Sequence, residues 1–210
     1  MQPCVVAGSG KVRGEVAEKP ILFSGEMVKA ILDGRKTMTR RVVNPQFTAL
    51  WGQGIRTGHE DAYSIHVNIM ADDGSWKWLK CPYGKPGDLL WVRETWVQWD
   101  DGLTYLADSI GKNGRENEDS KRCRLDYGVK WRPSIFMPRW ASRITLRITG
   151  ARVERLQAIS EADMMAEGIT HDPQIATWLK FASLWNSINE GRGYGWDANP
   201  WVWVVSFEKL

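Results

Sequence analysis

The 210-residue chain has little of most features that would assign it at once. Its three cysteines, Cys4, Cys81 and Cys123, are far apart and form no Cys-x-x-Cys pair. That odd, scattered set fits a reducing compartment better than a disulfide framework, and ordinary thiols better than ligands or nucleophiles. The three histidines, His59, His66 and His171, form no metal-binding signature, so neither a metal nor a cofactor is implied. No apolar run approaches the roughly 18 residues of a membrane span. Residues 1–8 show no basic stretch ahead of an apolar one, so no secretory leader and a cytoplasmic location are expected. Neither sign of charge dominates. Twenty-eight Lys and Arg against 25 Asp and Glu leave +3, which permits a nucleic-acid partner without demanding one.

What remains is an ordinary globular composition, 43% hydrophobic and 25% charged, which excludes a disordered chain, a collagen and a coiled coil. At about 150 residues per domain, the length gives one domain, or at most two small ones, with a core that needs no staples. Tryptophan is in excess: there are 13, more than the five Tyr and five Phe together. Most belong in the core, but that number leaves some for a surface that stacks on flat ligands.

Residues 1–19 lack periodicity and read as a lead-in. Residues 20–23 look like a short strand. Ser24 then caps a helix whose apolar face is Met27, Val28, Ile31 and Leu32, and Gly34 ends it. Residues 35–43 form a cation-rich strand, and residues 44–80 look like an insertion in which Trp76-Lys77-Trp78 alternates like a hairpin arm. A turn at Pro86-Gly87-Asp88 launches a strand over 89–92. Residues 107–130 are polar, 111–119 most of all, and predict a mobile, solvated loop there. A strand over 144–148 follows. A capped helix then runs from Ser160 to Gly168, an amphipathic helix spans Ile175 to Ile188, and a strand over 201–207 closes the chain. Mixed strands and helices in this order predict an α+β barrel or curled sheet.

Three groups of residues carry possible chemistry. Gly34-Arg35-Lys36-Thr37-Met38-Thr39-Arg40-Arg41 crowds four cations together. Like charges and burial push a lysine there toward its neutral form, in which it takes a proton from a hydroxyl such as that of Thr39. Spacing three puts Lys36 and Thr39 on opposite faces of a flat strand, so they meet only if the chain bends after Gly34. Spacing alone favours a basic edge strand that blocks aggregation or touches phosphate. Glu167 ends the Ser160 helix, where a carboxylate opposes the helix dipole; a solvated surface side chain is the plainer alternative. Arg93, Glu94 and Trp96, with Arg139 and Trp140, place Arg beside Trp, a pairing that stacks on a nucleobase and binds phosphate; a structural Arg93–Glu94 ion pair fits equally.

Together these segments resemble the ASCH family of the PUA-like superfamily, whose Gly-x-Lys motif with a following polar residue and Arg is met by Gly34, Lys36, Thr39 and Arg41. The Gly87-to-Val92 turn and strand, the Ser160-to-Gly168 helix and the aromatic last strand follow in the family's order. Arg-Pro-Ser-Ile-Phe-Met-Pro-Arg-Trp at 132–140 is similar to a segment of longer phage and prophage ASCH proteins. The resemblance covers most of residues 20–210. It implies one α+β domain, a PUA-like small β-barrel with flanking helices, preceded by the 1–19 lead-in and interrupted near 44–80 and 98–135. It also implies a cleft for a modified nucleoside or single-stranded nucleic acid.

One branch, the small bacterial N4-acetylcytidine amidohydrolases, uses a lysine, a threonine and a glutamate. Motif matching carries these to Lys36, Thr39 and Glu167. The implied activity is metal-free removal of an acyl group from a nucleobase such as N4-acetylcytidine. Arg35, Arg41, Arg93, Glu94, Trp96, Arg139 and Trp140 are then expected to hold substrate. A non-catalytic RNA or DNA reader and a metal-independent ribonuclease are the alternatives.

Overall fold

The computed structural model describes residues 16–47, 49–55, 65–70, 73–111 and 115–210. Five strands make the main sheet: β1 (Glu18–Leu22), β2 (Met38–Val42), β6 (Leu89–Arg93), β9 (Thr145–Arg155) and β10 (Trp201–Lys209), in the order β1-β6-β9-β10-β2. β1 runs parallel to β6, and the other neighbours are antiparallel. β3 (Ala49–Ile55), β4 (Ile65–Met70) and β5 (Trp76–Lys80) form a second sheet, and β7 (Trp96–Gln98) pairs with β8 (Leu103–Tyr105).

β10 is apolar and buried from Val202 to Val205 because both its faces are covered. Val205 and Phe207 join Leu90, Leu146 and Ile148 under α1 (Gly25–Leu32), which contributes Val28 and Ile31. Val202 and Val204 face α4 (Glu161–Ala166) and α5 (Thr177–Asn189), meeting Met164, Phe181 and Trp185. Trp203 and Val153 pack on Ile69 and Cys81, which ties the 44–80 segment into the core.

The sheet is mixed α/β in its setting, as expected, but it does not close into a barrel among the described residues. β1 and β2 remain its two edges, with no backbone ladder between them. A side chain bridges them instead: Arg41 on β2 donates from Nη2 to the Leu22 carbonyl on β1 at 2.5 Å and lies over the Phe23 ring. The outcome is a curled open sheet laced at its lip.

Two expectations need correction. Residues 107–130 are not a loop throughout: α2 (Leu106–Ser109) and α3 (Glu118–Asp126) lie there. Ala107 and Ile110 are buried, and the Ile110 carbonyl accepts from Lys29 of α1. The lead-in gives way to β1 at Glu18, two residues earlier than the pattern suggested; residues 1–15, with Cys4, lie outside the described residues, as does His59. No helix among the described residues is long and apolar enough to cross a membrane.

Candidate active site

Gly34 ends α1 in the left-handed region (φ 73°) and turns the chain. Lys36 and Thr37 are thereby drawn out of the strand. The Thr37 N–H donates to the Ala166 carbonyl, and Lys36 bridges Glu167 through the backbone. β2 begins only at Met38, so the expected bend exists and sits before the strand. Ser160 Oγ caps α4 by accepting from the Asp163 N–H, and the short helix stops at Glu167 and Gly168. At Gly168 (φ 93°) an added Cβ would lie 3.0 Å from Ala30 Cβ and 3.3 Å from Lys36 Cβ. Only glycine lets the α4 terminus approach Lys36 this closely.

The approach sets the central pair. Lys36 Nζ donates to Glu167 Oε2 at 2.6 Å and to the Glu167 carbonyl at 2.8 Å, with the Lys36 side chain fully enclosed. Burial lowers the Lys36 pKa; Glu167 opposes the shift, and Arg41 and Arg40 add to it. The other Glu167 oxygen faces Arg40 Nη1 at 3.3 Å. Cations thus surround a carboxylate that the helix end alone would disfavour.

Arg40 was not singled out from sequence, yet it organises the outer face of β2. Its Nη2 reaches Glu154 at 2.5 Å and Asp163 at 2.7 Å, and Arg152 binds the same two carboxylates. Burial works against the Arg40 charge, but Glu154, Glu167 and Asp163 hold its pKa above the ordinary value. The signal was present: strand alternation puts Arg40 opposite Thr39 and Arg41, which flank it.

Thr39 is buried and pairs with Val205 across the ladder. It lines a cavity of about 70 Å³ together with Arg41, Glu167, Trp185, Asn189 and Arg192, between the free edge of β2 and α5. Among the described residues the Thr39 hydroxyl makes no hydrogen bond, to Lys36 or to any other group. A larger cleft of about 400 Å³ adjoins it, lined by Arg35, Lys180 and Gly168. Glu167 lines both, and so stands where they meet. Arg35 is held at the cleft by Asp33 and the Gly168 carbonyl.

The remaining predicted residues gather elsewhere, around the 132–140 segment. Arg93 stacks on Trp91 and donates to the Ile135 carbonyl, not to Glu94. Glu94 is buried and bound to Arg143, which also takes Asp108, so its ion-pair partner is Arg143 and not Arg93. Burial raises the Glu94 pKa while Arg143 opposes the shift. Trp96 is enclosed, with Arg132 over its ring, so it cannot stack on a ligand as it stands. Trp140 meets Trp96 edge-on and is 65% exposed. Arg139 is engaged by Glu18 at the surface.

Among the described residues, no three His, Cys, Asp or Glu side chains are arranged to hold a metal ion. No family model, curated protein or solved structure matches the chain.

Proposed function

We propose that the Lys36–Thr39–Glu167 site hydrolyses an amide on a modified nucleobase, such as N4-acetylcytidine. The supporting observation is the enclosed 2.6 Å contact between Lys36 Nζ and Glu167 Oε2, beside a cavity that Thr39 and Glu167 line. A lysine and a carboxyl at that distance share one proton. With that proton placed on Glu167 for the reaction, the pair supplies one base and one acid.

In the first half-reaction Lys36 takes the Thr39 hydroxyl proton as Oγ1 bonds to the acyl carbon. Glu167 gives its proton to the amide nitrogen as the C–N bond breaks. The amine leaves, and an ammonium–carboxylate pair and an acyl-threonine remain. In the second half-reaction the carboxylate takes a proton from water as its oxygen adds to the acyl carbon. Lys36 returns its proton to Thr39 Oγ1 as the ester bond breaks, and the starting protonation is restored. Arg41, which lines the same cavity as Thr39, is a donor for the oxyanion. The Lys36–Thr39 hydrogen bond forms with substrate in place, since such contacts are commonly loose in the free enzyme.

Incubating purified protein with N4-acetylcytidine in the presence of EDTA tests this. Cytidine should form, and Lys36→Ala and Thr39→Ala should each slow it by about 10²–10⁴-fold. Undiminished turnover in either variant overturns the assignment.

A second reading, a non-catalytic reader of single-stranded nucleic acid, is favoured by one observation. Trp140 and Phe136 stand 65% and 72% exposed beside Arg139, a stacking platform with a cation at hand. It predicts oligonucleotide affinity that falls with salt.

A further inference from the structure

Charge around the 70 Å³ cavity does not balance. Glu167 is matched by Lys36 and Arg40, and Arg40 in turn by Glu154 and Asp163. That leaves Arg41 and Arg192, which line the same cavity and have no carboxylate partner among the described residues. Each uses few of its five donors: Arg41 gives Nη2 to the Leu22 carbonyl, and Arg192 gives Nη2 to Asn189 Oδ1. Asn189 is itself buried and tied to the Trp185 carbonyl, so Arg192 is anchored at the cavity's rim.

We infer that this cavity binds an oxyanion carried by the substrate, held between the Arg41 and Arg192 guanidiniums beside Thr39. Two like charges beside one recess repel until an anion enters, and burial and Arg192 already depress the Arg41 pKa. Forked guanidinium donors match carboxylate and phosphate oxygens. Size agrees. At about 70 Å³ against about 400 Å³, the cavity suits a compact group and the adjoining cleft beyond Glu167 suits a ring.

The inference rests on placing the reaction at Thr39 and adds that the substrate is anionic, through a nucleotide phosphate or a carboxylate on the acyl group. Calorimetric titration of the intact protein at low salt separates the two sources without turnover. One arm compares cytidine 5′-monophosphate with cytidine, the other succinamate with succinamide. At least one charged probe should bind about tenfold tighter than its neutral counterpart, and Arg192→Gln, an exposed site that leaves the core untouched, should erase the preference. Arg41→Gln, verified as folded by circular dichroism, should do the same. No preference in either arm, or one that survives both variants, overturns the inference. A preference without deacylation of N4-acetylcytidine, of its 5′-monophosphate or of N4-succinylcytidine would leave the anion site standing and remove the hydrolase reading.

Discussion

Lys36 is bound twice to one residue: its ammonium group donates to the Glu167 carboxylate at 2.6 Å and to the Glu167 carbonyl at 2.8 Å. No other carboxylate among the described residues forms an ion pair with Lys36, whereas Glu167 also has Arg40.

That asymmetry gives the first prediction. Glu167→Gln strands a buried ammonium and should cost about 3–5 kcal/mol in urea unfolding. Lys36→Met leaves Glu167 with Arg40 and should cost clearly less. Equal losses, or the reverse order, would show that the pair is not the unit described.

The second prediction concerns pH. The folded-state pKa of Lys36 lies below its ordinary 10.5, so between the two values the unfolded chain binds more protons. Protonation of Lys36 therefore favours unfolding, and its contribution to stability rises with pH through that window until both states are neutral. Lys36→Met should flatten the rise of the urea midpoint toward 10.5; a slope identical to wild type contradicts the assignment.

Gly168 supplies the third. A side chain there must adopt φ 93° and press on Ala30 and on the Lys36 stem. Gly168→Ala should cost at least about 1–2 kcal/mol and slow N4-acetylcytidine hydrolysis through Lys36. Wild-type stability would mean that the close approach is not required.

The fourth separates two tryptophans in edge contact. Trp96→Ala should cost about 3–5 kcal/mol, as for a core aromatic. Trp140→Ala should cost no more than about 1.5 kcal/mol, the worth of the pair contact. If the 132–140 segment reads nucleic acid, Trp140→Ala also abolishes quenching of tryptophan fluorescence by an oligonucleotide; retained quenching argues against that platform.

Much of the framework was legible because its signals are local. Ser24, Gly34, Ser160 and Gly168 bracket α1 and α4 at the expected positions, although only Ser160 caps through its hydroxyl and Ser24 makes no side-chain capping bond, and β10 announces itself by an unbroken apolar run. α3 was missed for a physical reason. None of its residues is buried, so it has no apolar face to read. Asn117, which caps it, and the Arg124–Glu116 pair hold it instead. Whether the sheet closes depends on long-range approach of its edges, which no local pattern encodes. At the site, spacing alone pointed to a basic edge strand and the family resemblance nominated Lys36, Thr39 and Glu167; neither gave a hint of Arg152 or Glu154, which act through strand register. Arg192 had one overlooked signal: it is a lone cation in the glycine-rich run Gly191 to Gly195.

The lacing of the sheet by Arg41 and Leu22 has a mechanical side. Two strands zipped by a ladder separate only by losing several hydrogen bonds at once, but among the described residues this seam is fastened by a single guanidinium clasp. Unfastening the clasp costs about 1.5–3 kcal/mol, so on the order of one molecule in ten to one in a hundred has it undone at any instant. An anion taken up by the remaining donors of Arg41 restrains the same guanidinium, so loading the recess steadies the seam.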